Sequence, residues 1–133
     1  MANEAVKVEL TNTTGFPRRY TVADGTGIPK GTLLELTDPR TVKLASTNNC
    51  ALGGIAAFEK VASDGSTSIS AWTDGIFEMV ASGSITIGHP VKATGGSVNK
   101  IEAADAADIG AQILGYSLET ATDGETINVR VRL

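Results

Sequence analysis

The sequence predicts an all-β protein, a small barrel or sandwich of short strands with an internal pseudo-repeat. Three observations lead there. First, the stretch Gly31–Leu44 and the stretch Gly88–Ile101 say nearly the same thing: a glycine, a short alternating run, turn residues, then a second run ending in a Lys-aliphatic pair. Leu52–Ala57 and Ile113–Leu118 echo each other in the same way, so the offset is 57 residues at Gly31/Gly88 and 61 at Gly54/Gly115, a difference that one four-residue indel absorbs. Second, Val, Ile and Thr dominate short runs of period two, as a half-buried pleated surface requires. Third, Asp-Gly pairs at Asp24, Asp64, Asp74 and Asp123 punctuate the chain. Glycine accepts the positive φ that such turns demand.

Taken in order, Val6–Leu10 alternates apolar and polar, and Thr11–Pro17 reads as an extended or loop segment. Arg18–Ala23 is a second strand closed by Asp24-Gly25. Further strand runs are Thr32–Leu36, Thr41–Ala45, Gly54–Val61, Ile76–Ala81, Pro90–Thr94, Ser97–Ile101, Ile113–Leu118 and Glu125–Leu133. Pro29, Pro39 and Pro90 fall at strand starts or turns, where a missing N–H is tolerated. At most one short helix is expected, near residues 102–109, where Ala103, Ala104, Ala106 and Ala107 favour it. The expected organisation is an N-terminal arm or strand over 1–20 followed by one β-barrel domain over 21–133.

Composition narrows the function. At 133 residues the chain fits one domain, and with 41% hydrophobic but only 5% aromatic residues its core has to come from Ala, Val, Ile and Leu. The formal charge is −4, and Glu102–Val129 holds six acidic residues and no basic one. Nucleic-acid binding needs clustered Lys and Arg against phosphates, so neither DNA, RNA nor an acidic membrane surface is an expected partner. The longest apolar run, Cys50–Phe58, is nine residues with two glycines, well short of the roughly twenty a spanning helix needs. Cys50 is alone and Met1–Leu10 lacks a secretory layout, which suggests a soluble protein made in a reducing cytoplasm.

The chemistry-bearing residues do not assemble into a signature. His89, the sole histidine, lies between Gly88 and Pro90 and reads as a strand-edge surface residue; Cys50 has no nearby cation to depress its pKa and reads as a small hydrophobe. Gly25–Gly31 lacks the Lys-Ser/Thr ending and helix of a phosphate loop, and Asp64, Asp74 and Asp123 lack the alternating acids of an EF-hand. No catalytic, cofactor or metal site is therefore expected, and no enzyme. The binding-type features are the string Phe16, Pro17, Arg18, Arg19, Tyr20 and the single Trp72. Arg, Tyr and Trp are favoured at interfaces. The string also fits a solvated strand start, and Trp72, at an expected loop, also fits a ring covering one end of the barrel.

The phrases Gly31–Asp38, Gly75–Val80, Ile87–Ala93, Ile113–Ala121 and Ile127–Leu133, in that order, resemble the small head-decoration, or capsid cement, proteins of tailed viruses. The likeness runs from about Tyr20 to the C-terminus and is carried by glycines and aliphatics. It implies a β-barrel-like domain on the outer surface of an expanded capsid, assembled as a homotrimer, with the major capsid protein as partner and head stabilisation as its task. The virion would then be its location, after synthesis in the host cytoplasm. In such proteins the N-terminal segment is mobile when free and adds as a strand to the lattice, which here maps to Met1 through about Tyr20. Other readings are a small carbohydrate- or ligand-binding β module using Trp72, and another virion part such as a tail-tube or fibre subunit.

Overall fold

The computed structural model describes residues 3–9, 17–47, 49–94 and 99–133. Its strands are β1 (Val6–Glu9), β2 (Arg18–Thr21), β3 (Leu33–Asp38), β4 (Thr41–Leu44), β5 (Leu52–Ala56), β6 (Ser68–Trp72), β7 (Asp74–Ala81), β8 (Pro90–Ala93), β9 (Lys100–Ala103), β10 (Gly115–Ser117) and β11 (Thr126–Arg132). The fold is all-β. Among the described residues the helical structure is one 3-10 turn, Gly110–Gln112, just past the alanine-rich stretch, whose first residues complete β9.

The strands close into two five-stranded barrels in the order β2-β4-β3-β5-β6 and β7-β9-β8-β10-β11, with β1 added to the edge of β7. In each barrel the first and third strands run parallel (β2–β4, β7–β9) and every other pair is antiparallel. The pseudo-repeat is thus one barrel per copy with identical topology. The correspondence reaches single hydrogen bonds. Gly31 N–H donates to Ala56 O and Gly88 N–H to Ser117 O; Ala56 N–H donates to Thr32 O and Ser117 N–H to His89 O. The isolated bridges Ile28–Lys60 and Ile85–Ala121 repeat the offsets of 57 and 61 residues. Gly31 and Gly88 share φ values of +82° and +80°, a conformation that costs a residue with a Cβ.

Alternation places the core. β7 and β11 bury every second residue, Gly75, Phe77, Met79 and Ala81 facing Ile127, Val129 and Val131. β3 and β5 depart from period two: Leu33, Leu34 and Glu35 are all buried, as is the whole of Leu52–Ala56. The reason is packing on both faces. Leu34, Val42, Ala56, Ile69 and Ala71 fill the first barrel, while Leu33, Leu52 and Ile55 turn outward into a second cluster built on Phe77, Met79, Val91, Ile101 and Val129. One continuous apolar core therefore joins the second barrel to the back of the first. Among the described residues Phe77 is the largest fully buried side chain, and apart from it, Tyr20 and Met79 the buried hydrophobes are Ala, Val, Ile and Leu, as the composition requires.

Polar contacts tie the copies together as well. Asn99 Oδ1 accepts from Leu33 N–H at 2.7 Å within the core, and Ala5 N–H donates to Gly31 O at 2.8 Å just before the chain enters β1. β1 thus bridges the barrels: its approach is tied to the first and its ladder runs along the second. All four of its residues are exposed, as expected of an edge strand.

Candidate functional site

The structure keeps Arg18 and Tyr20 at one cleft and parts them from Arg19 and Trp72. Phe16 lies outside the described residues. Arg18 and Arg19 are exposed on β2 and point to opposite faces. Arg18 opens on a cleft of about 320 Å³ with Leu36, Leu52, Gly53 and Arg132. Arg19 borders a smaller recess of about 140 Å³ with Phe58, Glu59 and Asp64. Tyr20 turns inward; its hydroxyl donates to Gly53 O at 2.8 Å, which anchors β2 to β5 across the barrel. Trp72 stands in β6 rather than in a loop. Ser68, Ile69, Ser70 and Ala71 alternate ahead of it, and the pairing with both β2 and β5 holds this serine-rich run extended. The ring is half-buried, and Lys7 Nζ caps it 4.9 Å from the centroid, a cation–π contact. Around it is a cleft of about 550 Å³, lined by Val6, Lys7, Lys30, Phe58 and Phe77.

The groups singled out for chemistry are engaged structurally. His89 is exposed, with Nε2 3.0 Å from Ala104 O. Cys50 packs against the main core, and its thiol is pushed up to about 11, first by burial and then by the neighbouring Glu35 carboxylate. A thiol so raised is protonated at neutral pH and a poor nucleophile. Asp64 accepts from Lys60, Asp74 pairs with Arg130, Asp123 Oδ1 accepts from Gly83 N–H, and Asp24 accepts from both Lys60 and Gly65 N–H. Among the described residues no three His, Cys, Asp or Glu side chains are grouped to hold a metal ion. Among the described residues no helix is long and apolar enough to cross a membrane.

Sequence reasoning missed three buried ionic nodes. Lys60 Nζ donates to Asp24 Oδ1 (2.9 Å), Asp64 Oδ1 (2.7 Å), Asp24 O (3.0 Å) and Val61 O (2.7 Å). Burial opposes its charge, but the two carboxylates overcome this and raise its pKa. Lys92 Nζ reaches Asp108 at 3.0 Å and Asn49 Oδ1 at 2.7 Å, and Asp108 above all raises its pKa. Glu35 is buried, which raises its pKa, but the amides of Ser46 and Thr47 and the Lys43 ammonium outweigh burial and hold the carboxyl below its ordinary 4.5. Glu35 and Lys92 occupy equivalent positions of the two copies, 57 residues apart and with opposite charge. That echo was the one signal in the sequence: a charge sitting at an interior position of a copied strand.

No protein-family model matches the chain, and no curated protein matches it in sequence. Among solved structures it is similar to the head fiber gp8.5 N base of bacteriophage phi29, with a TM-score of 0.54, 14% sequence identity, and coverage of 86% of this chain and 92% of that one. At this identity the likeness is one of fold, and it spans both barrels.

Proposed function

We propose that this chain is a non-enzymatic structural protein of a phage virion, carried on the outer surface of the head, where it binds the major capsid protein and reinforces the shell as a trimer. The observation that carries this reading is the fold shared over 86% of the chain with the base of a phage head fiber. The sequence phrases that resemble capsid cement proteins point the same way. The physical character of the molecule suits a mechanical part: two closed barrels fused through one apolar core, and ion nodes that pin loops to one another and to β8. A cyclic trimer would use two different faces of each subunit, and many copies on a symmetric shell would gain by multivalency.

A second reading is favoured by the same neighbour. The chain would be the base of a head fibre, attached to the shell and presenting a further appendage. Both readings place it on the head. Co-sedimentation with expanded capsids tests this, together with the heat resistance of capsids with and without the protein. The reading expects saturable binding and, for the cement role, shells that survive to higher temperature. Absence of binding would overturn both, and binding without added heat resistance would leave the fibre base.

A further inference from the structure

We propose that the exposed half-edge of β2 at Arg19 is a docking site for an extended, acidic segment of another protein, which adds to the first barrel as β1 adds to the second. The inference goes beyond the virion reading and does not depend on it.

It rests on comparing the two copies. One edge of β7 is fully used by β11, and the other is shared: β9 pairs at Val80 and Ala81, and β1 pairs at Ile76, Phe77 and Glu78. β2 is the counterpart of β7. Its first edge is likewise used by β6, and at the second β4 pairs at Thr21. Arg19, opposite Ser70, stands where Glu78 stands opposite Asn128, yet among the described residues no strand pairs with it in the place of β1. Its main-chain groups face that open side. Ser70 O is taken by Ala57 N–H of the neighbouring strand, so Arg19 and Ser70 form a non-hydrogen-bonded pair and the Arg19 N–H and C=O point away from β6. The Arg19 carbonyl meets the Arg40 guanidinium, which donates to it at 2.7 Å. An exposed side chain thus holds the position of a ladder bond that a strand would replace.

Charge selects the occupant. Arg18, Arg19 and Arg40 are all exposed and none is ion-paired among the described residues, in a chain whose net charge is −4. A second copy's β1 would set Lys7 against Arg18, the counterpart of Phe77. Like charges directly opposed disfavour pairing, whereas glutamates along the Arg19 face of the incoming strand would meet its guanidinium, with the Arg40 guanidinium at the neighbouring Arg19 carbonyl. Main-chain bonds then give affinity and alternate side chains selectivity.

The test titrates the ¹⁵N-labelled full chain with a capped seven-residue peptide alternating glutamate and valine, and with its lysine-for-glutamate counterpart, to millimolar concentration. The expected result is a saturable shift centred on the Arg19 amide with the glutamate peptide, and binding on the order of tenfold weaker with the lysine peptide. Arg19→Pro removes the outward N–H without touching the β2–β6 ladder and should abolish the shift. Should that variant misfold, the double variant Arg19→Glu, Arg40→Glu decides the matter by reversing the preference to the lysine peptide. Equal response to both peptides, shifts confined to the Trp72 cleft or β1, or no shift at all would overturn the proposal.

Discussion

A methyl group added at Gly115 tests the closure of the second barrel directly. Gly115 pairs with Val131 between β10 and β11, and a Cβ built on it would lie 1.8 Å from Arg130 O and 2.9 Å from Arg130 C. Non-bonded carbon and oxygen need a separation of roughly 3 Å or more, so the strands would have to part by more than about 1 Å. The blocking atoms are backbone, which no rotamer change can clear. Ladder spacing is only about 4.8 Å, and parting it strains the Gly115–Val131 pairing and the neighbouring bond from Arg132 N–H to Leu114 O. Gly115→Ala should therefore cost about 3 kcal/mol, the upper part of the range for overpacking. For a domain of this size that lowers Tm by roughly 10–15 °C. Urea denaturation followed by circular dichroism should show a lower midpoint with an unchanged slope. Gly54→Ala, the counterpart in the first barrel, also faces a carbonyl, Trp72 O at 2.7 Å, at a φ of +152°, and it should destabilise in the same direction. A Gly115→Ala protein melting within 2 °C of the parent would refute the strand spacing and with it the barrel closure argued above.

Three further outcomes are expected. Tyr20→Phe strips the donor from the buried Gly53 carbonyl, and urea titration should show a loss of about 1–2 kcal/mol. Stability should decline at both ends of the pH scale. The depressed Glu35 contributes above its ordinary 4.5 and loses that contribution as pH falls through its folded value, whereas the raised Lys60 and Lys92 contribute below their ordinary 10.5 and lose it as pH rises through their folded values. Melting temperatures across pH 3–12 check this, and Glu35→Gln should flatten the acid limb. Finally, the Cys50 thiol, raised to about 11, should react slowly with Ellman's reagent at pH 8 in the native protein and fast in urea; a fast native reaction would contradict its packing.

What the sequence alone determined was the β class, most strand positions and the duplication. These are local matters: period-two alternation shows in Ile127–Leu133 without reference to any neighbour, the Asp-Gly pairs at Asp24, Asp64 and Asp123 mark turns by their own backbone freedom, and a copied strand carries its glycines with it; Asp74-Gly75, expected as a turn, instead opens β7, because the ladder to Arg132 and Val131 holds it extended. Where a residue's surroundings came from elsewhere in the chain, the sequence misled. Trp72, beside Thr73 and Asp74-Gly75, read as a loop residue, and the ladders to β2 and β5 make Ser68–Trp72 a strand. Gly54–Val61 resembled one long strand, but the ladder ends at Ala56; Phe58 is 63% exposed, and Lys60 returns to bridge with Ile28. Tertiary structure also decided the number of barrels, because closure depends on which strands pair at long range and not on how many there are. It decided that Glu35 and Lys92 are interior, since each is buried only once the loops that supply its partners fold over it. And it parted Arg19 from Arg18 and Tyr20, because residues adjacent along a strand point to opposite sides of it, and set Trp72 on a different strand.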